Sequence, residues 1–150
     1  MGYLRKSNNK DLDHVIKNMR EMDKIEAYYQ SGQTPEDAVA YSYLCSRITM
    51  TVAGDQDQPM GLCGVAQDKC IWFVATEELY ATKKYRIQLI RKGREWVNSL
   101  LKDHDYLYNY VYKENKSAIK WLRSMNFNFI NLHQNFGHKQ QPFYEFMRIV

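Results

Sequence analysis

Three cations, Lys83, Lys84 and Arg86, fall within four residues where a helical pattern begins. The amino end of a helix exposes N–H groups and partial positive charge, so cations alone are mildly disfavoured there. Two explanations stay open: an anion such as a phosphate held jointly by cations and N–H groups, or a solvated surface entry to the helix. A few residues upstream, Glu77 and Glu78 directly follow the apolar run that ends Val74-Ala75-Thr76. Carboxylates at that point can accept a proton, directly or through water, or can simply be exposed. Cys45, Cys63 and Cys70 are odd in number, lack C-x-x-C spacing and sit in apolar segments, which points to buried thiols in a reducing compartment. His14, His104, His133 and His138 make no ligand-spaced set with them, so no metal is expected.

The elements that must position these residues follow from pattern. Residues 2–6 are a short extended segment, and Ser7, Asn8 or Asn9 can cap a helix whose apolar positions run Leu12, Val15, Ile16, Met19, Met22 and Ile25 on one face, leaving the other charged and solvated. Thr34-Pro35-Glu36-Asp37 opens a second helix over about 35–46, with Thr34 as cap, proline at the first position and acids against the positive end. Val39, Tyr43 and Ser46 or Leu44 should face the sheet. Extended runs at 48–53, 60–66 and 70–76 are separated by the polar stretches Gly54 to Pro59 and Gln67-Asp68-Lys69, and such short connections make antiparallel hairpins. A third helix spans about 84–102, with Gly93 allowing close backbone approach. Residues 106–112 (YLYNYVY) alternate strictly as a strand, 115–125 form a fourth helix, and 127–132 and 142–149 are the last strands.

One domain covering 1–150 is expected, since the length suits a single core and no Pro-, Gly- or Ser-rich linker divides the chain. With 45% hydrophobic and 25% charged residues the composition is globular. No apolar run is long enough to span a bilayer and the first ten residues lack a secretory signal, so a cytoplasmic protein is expected. Gly2 follows Met1 as in a myristoylation signal, but Lys6 stands where Ser or Thr is needed. A net charge of +4 with acids and bases intermixed argues against general nucleic-acid binding.

The order β-α-α-β-β-β-α-β-α-β-β, a mixed and mostly antiparallel α/β fold, together with MGLCGVAQDKCIWFVAT at 60–76 and the set Asn115, Ala118, Ile119, Met125 and Phe127, resembles the Gcn5-related N-acetyltransferase superfamily. Within it, IWFVATEEL and the helix NKSAIKWLRSMNF are similar to acetyltransferase-like and internal virion proteins of short-tailed bacteriophages.

The resemblance implies an acetyl-CoA site. Phe73, Val74, Ala75 and Thr76 would hold the acetyl and pantetheine groups through backbone N–H groups, with Asn109 on the neighbouring strand and Asn115 at the next helix. Lys83, Lys84, Tyr85 and Arg86 would meet the pyrophosphate. Glu77 or Glu78 would take the proton leaving the acceptor amine. The family's phosphate loop is glycine-rich, and Ala81 to Arg86 contains no glycine. The family's acid is a tyrosine seven residues after the asparagine of its last-helix motif. That position is Leu122, which leaves Tyr108 as the substitute donor, with Tyr85, Tyr110 and Tyr144 as alternatives. Two functions stay open: an acetyl-CoA-dependent N-acetyltransferase with an unknown acceptor amine, or a non-catalytic phage protein working in virion assembly with phage or host partners, in the host cytoplasm or the particle.

Overall fold

The computed structural model describes residues 3–66 and 69–150. Gly2, and Gln67 and Asp68 of the expected polar connection, lie outside the described residues. In chain order the elements are β1 (Tyr3–Lys6), α1 (Asn9–Lys17), α2 (Glu21–Ser31), α3 (Pro35–Cys45), β2 (Ser46–Ala53), β3 (Pro59–Ala66), β4 (Ile71–Ala75), α4 (Glu77–Ala81), α5 (Lys83–Leu100), β5 (Tyr106–Tyr112), α6 (Lys116–Ser124), β6 (Asn128–Phe136) and β7 (Gln141–Ile149). The expected order is present, with the first helix divided in two and a short helix, α4, added ahead of α5.

The strands make two antiparallel sheets, β1-β2-β3-β4 and β5-β7-β6. Between β4 and β5 the contact shrinks to an isolated parallel bridge, Cys70 with Tyr108. Here Tyr108 N–H reaches the Lys69 carbonyl at 3.2 Å and Asn109 Nδ2 reaches the Ile71 carbonyl at 2.6 Å. Beyond that point the two sheets diverge.

Helices cover both faces. On one, Leu89 and Val97 of α5 and Ile119, Trp121 and Leu122 of α6 bury against Ile71, Ala75, Leu107, Val111 and Phe146. On the other, Val15, Met19 and Val39 bury against Leu62 and Trp72. Each fully buried aliphatic or aromatic side chain contributes roughly 1.5–3 kcal/mol. Val39 is buried as expected, whereas Leu44, a candidate for the sheet side, is 81% exposed.

The sequence periodicity from Leu12 to Ile25 suggests one helix, but the structure interrupts it. α1 ends at Lys17, where Asn18 caps it by returning both its N–H and its Nδ2 to the His14 carbonyl. Met19 then pairs with Thr76, and Arg20 N–H donates to the Ala75 carbonyl at 2.9 Å. Tertiary strand pairing has overridden helix continuation. In α2 Asp23 is buried and Ile25 is 37% exposed.

At its far end α2 closes on Gly32, in the left-handed conformation, and meets the tip of the β6–β7 hairpin. His138 N–H and Lys139 N–H donate to the carbonyls of Gln30 and Tyr29 at 3.1 and 3.0 Å, satisfying groups that a helix end leaves without partners. Gly137 sits so close that an added Cβ would lie 2.7 Å from the Gln30 carbonyl oxygen.

Candidate functional site

In the antiparallel pairing of β3 with β4, Thr76 N–H bonds the Met60 carbonyl and Ala66 N–H the Cys70 carbonyl, so the intervening alternate residues turn their backbone groups away from β3. Ile71, Phe73 and Ala75 therefore face the gap. The Ile71 carbonyl is taken by Asn109. Ala75 is taken twice: its carbonyl by Arg20 N–H, and its N–H by Asp23 Oδ2 at 2.9 Å. The Phe73 rung stands between them.

A cavity of about 340 Å³ occupies the divergence, lined by Asp23, Glu26, Phe73, Tyr80, Tyr110 and Trp121 among others. Phe73 stacks on Trp121 with ring centroids 4.9 Å apart. Among the described residues, Trp121 Nε1 is a buried polar side-chain atom with no hydrogen-bond partner.

The acids on this wall come from α2. Asp23 ion-pairs with Arg20 at 3.2 Å, and the Arg20 guanidinium lies 4.1 Å above the Tyr80 ring. Glu26 Oε2 accepts from Tyr112 N–H at 3.1 Å and Asn115 Nδ2 at 2.8 Å. Burial pushes the Asp23 carboxyl up to about 6, against the lowering effect of Arg20 and the Ala75 amide. Burial, with the nearby charge of Asp23, pushes Glu26 up to about 7. Burial also raises the Tyr80 hydroxyl.

Of the residues expected to form the site, Phe73, Val74, Asn109 and Asn115 do line this cavity. Asn115 is 1% exposed and caps α6, accepting from Ala118 N–H at 3.4 Å. Ala75 is at the gap, but its edge is already paired. Thr76 is buried, its hydroxyl donating to the Met60 carbonyl at 3.1 Å.

The expected phosphate cluster is dispersed. Lys84 pairs with Asp55 at 2.5 Å, and that bond holds the Asp55 carboxyl down at about 2. Tyr85 is buried in the core, with its hydroxyl accepting from Asp55 N–H at 3.2 Å. Arg86 donates to the Tyr80 carbonyl. Lys83 is exposed at the first position of α5.

The expected acid and base residues are also spoken for. Glu77 accepts from Glu21 N–H at 3.3 Å, serving the first turn of α2, whose own cap residue Arg20 makes no side-chain cap bond. Glu78 accepts from Gln58 Nε2 at 3.2 Å. Tyr108 stands on the opposite face of β5 from Leu107 and Val111, in a row with Tyr106 and Tyr110 at centroid spacings of 6.3 and 6.4 Å. Tyr110 and Tyr80, rather than Tyr108, reach the cavity, and Leu122 lines it where the superfamily places its tyrosine. Sequence reasoning missed Arg20, Asp23, Glu26, Tyr80 and Trp121. The available signal was that Asp23 and Glu26 stand four and seven residues after Met19, which sets both acids on the same helical face as Leu12, Val15 and Met19.

Among solved structures the chain is similar to spermidine N-acetyltransferase from Vibrio cholerae in complex with CoA and spermine, at 14% identity and a TM-score of 0.68 over 99% of this chain and 95% of that one. It is similar to an N-acetyltransferase from Staphylococcus aureus Mu50 at 16% identity and a TM-score of 0.70, covering 99% and 98%. Apo YjaB from Escherichia coli gives 14% and 0.64 over 98% and 97%. These likenesses establish the Gcn5-related N-acetyltransferase fold. No curated protein matches the sequence. A family model described as "Bacteriophage T7, probable scaffold protein Gp13" matches residues 48–134, more than half of the chain and all of β3 through α6. The chain therefore belongs to the family of the bacteriophage T7 probable scaffold protein Gp13.

Proposed function

We propose that this protein is an acetyltransferase-fold phage protein that acts by binding other proteins during virion assembly, and that its fold's cofactor lane is closed by its own chain. The single observation that carries this is the state of Ala75: Arg20 N–H and the Asp23 carboxylate occupy the strand edge on which a pantetheine arm would pair. Three further features agree with it. The stretch ahead of α5 has no glycine, Lys84 is neutralised by Asp55, and Leu122 cannot donate a proton. As found here, these residues do not fit acetyl-CoA in the manner of the superfamily. The family's description as a probable scaffold protein supports the same assignment, with action in the host cytoplasm or in the assembling particle.

A second reading, an acetyl-CoA-dependent N-acetyltransferase with an unidentified acceptor amine, is favoured by the divergence of β4 from β5 and by Glu26, a carboxyl near 7 in the cavity wall. A folded-state ligand raises the melting temperature. With ~1 mM acetyl-CoA, a hundredfold above a Kd of ~10 µM, that rise corresponds to about 2.7 kcal/mol. The expected result is no shift. A shift of several degrees, or release of free CoA thiol in the presence of amines, overturns the assembly assignment in favour of the enzyme. Deleting the protein from a phage should lower particle yield and leave acetylation of infected-cell proteins unchanged.

A further inference from the structure

Along the chain acids and bases are intermixed, but the fold sorts them. α5 and α6 lie side by side on one face of the sheets, joined where Arg94 Nε donates to the Ser124 carbonyl at 2.8 Å. Between them they carry nine lysines and arginines and one acid, Glu95. On the other face α1 and α3 carry two lysines and four acids, and α2, packed beside α3, adds one lysine and three acids. Helical spacing then sets the cations in rows. α6 buries Ile119, Trp121 and Leu122, which leaves Lys116, Lys120 and Arg123, at i, i+4 and i+7, exposed along its outer side. α5 buries Tyr85, Leu89, Gly93 and Val97 and exposes Arg91 and Arg94. Among the described residues none of these five makes an ion pair, whereas Lys84 has Asp55 and Lys92 has Glu95.

We propose that the outer face of α5 and α6 is a docking surface for the phosphate backbone of double-stranded nucleic acid, bound without regard to sequence through Arg91, Arg94, Lys116, Lys120 and Arg123.

What the face lacks decides which anion it suits. Among the described residues Ile87 is the exposed large hydrophobic side chain of these two helices, while Trp121 is buried and Trp96 half-buried. A protein partner is held chiefly by aromatic and apolar anchors with polar contacts around them. A helix lying on a membrane sinks Trp, Phe or Leu into the lipid. Single-stranded nucleic acid needs aromatic rings on which its bases stack. This face presents charge with almost none of those. A duplex backbone asks for charge alone, because each cation seated on a phosphate releases condensed counterions, and that release drives binding of any sequence. The row from Lys116 to Arg123 is roughly 10 Å long. It spans about three phosphates of one strand, at one per ~3.4 Å of duplex axis. Arg91 and Arg94 add a second row beside it.

The inference goes beyond the assembly assignment and stands or falls apart from it, since neither acetyl-CoA binding nor particle yield reads this face. Binding of the full chain to two short labelled DNA duplexes of unrelated sequence is followed by fluorescence anisotropy from about 50 to about 200 mM NaCl. Both should bind alike, and affinity should fall a few hundredfold across that range, as about five phosphate contacts require. Lys116→Gln combined with Lys120→Gln should reduce the slope of log affinity against log salt by about 2, and Arg91→Gln by about 1. Lys10→Gln combined with Lys17→Gln removes the same charge from exposed positions on α1 and should leave affinity and slope near those of the parent. Arg91→Gln serves alone if the α6 pair does not fold. No binding at about 50 mM NaCl, strong discrimination between the two duplexes, or an equal loss from the α1 pair overturns the proposal. So does tighter binding to polyglutamate, which would give the face to an acidic protein, or to vesicles of phosphatidylcholine and phosphatidylserine, which would give it to a membrane.

Discussion

Asp11 is buried and still charged, because everything around it donates. Arg5 grips both carboxylate oxygens, at 2.6 and 2.9 Å, while Asn8 N–H at 3.0 Å and the Thr51 hydroxyl at 2.9 Å bond Oδ2. Burial works to raise its pKa, but Arg5, the Asn8 amide and Thr51 together outweigh that and leave it below the ordinary 3.8. Asp11→Ala removes the N3 acid of the α1 capping box and leaves Arg5 with Asp57 as its carboxylate partner, 2.8 Å away, and should cost about 2 kcal/mol in urea denaturation. The folded value lies below the unfolded one, so the stabilisation is present above pH 3.8 and is lost as pH falls through the lowered value. Asp23 and Glu26 have the opposite sign, having one cation between them. Little of this was legible in the sequence. Asn8 and Asp11 show the spacing of a helix start, but the partner Arg5 comes from β1 and Thr51 from β2, which only the sheet register brings together. Lys83, Lys84 and Arg86 look like a cluster in sequence, and folding gives Lys84 and Arg86 different partners.

Among elements, the α5–α6 contact is the most exacting. A Cβ on Gly93 would lie 2.6 Å from the end of Met125 and 3.3 Å from the Trp121 ring. The methionine terminus can shift, and alanine gains about 1 kcal/mol of helix propensity, so Gly93→Ala should stay within about 1 kcal/mol of the parent. Gly93→Leu has no room and should cost about 3 kcal/mol or more, measured by chemical denaturation. The elements that the sequence shows well carry their own local signals. β5 alternates without a break and has the expected bounds, and α3 starts at its Thr34-Pro35 signature. Others depend on distant partners. The division of α1 from α2 comes from pairing with Thr76, and β6 runs on to Phe136 through polar His133, Gln134 and Asn135 because β7 supplies a ladder there.

At the scale of the molecule, two half-sheets share a single bridge among the described residues, and the acids of α2 stand in for the missing rungs. Their raised folded-state values mean that the contribution of this pair to stability is largest at low pH and falls as pH rises toward 7. Urea stability should drop by a few kcal/mol from pH 5 to pH 7.5, chiefly through Glu26, and the drop should be much smaller in Glu26→Gln. An equal drop in that variant would shift the cause to other groups.

The hairpin tip at Gly137 then acquires a mechanical meaning. His138 and Lys139 clamp α2 at Gln30 and Tyr29, seven residues from Asp23, or roughly 10 Å along the axis. With Arg20 N–H on the Ala75 carbonyl at its start and the hairpin at its finish, α2 is a beam resting on two supports. Held at both ends, it keeps Asp23 seated 2.9 Å from the Ala75 amide. Gly137→Val, by forcing a side chain against the Gln30 backbone, would loosen one of the two supports and leave the other in place.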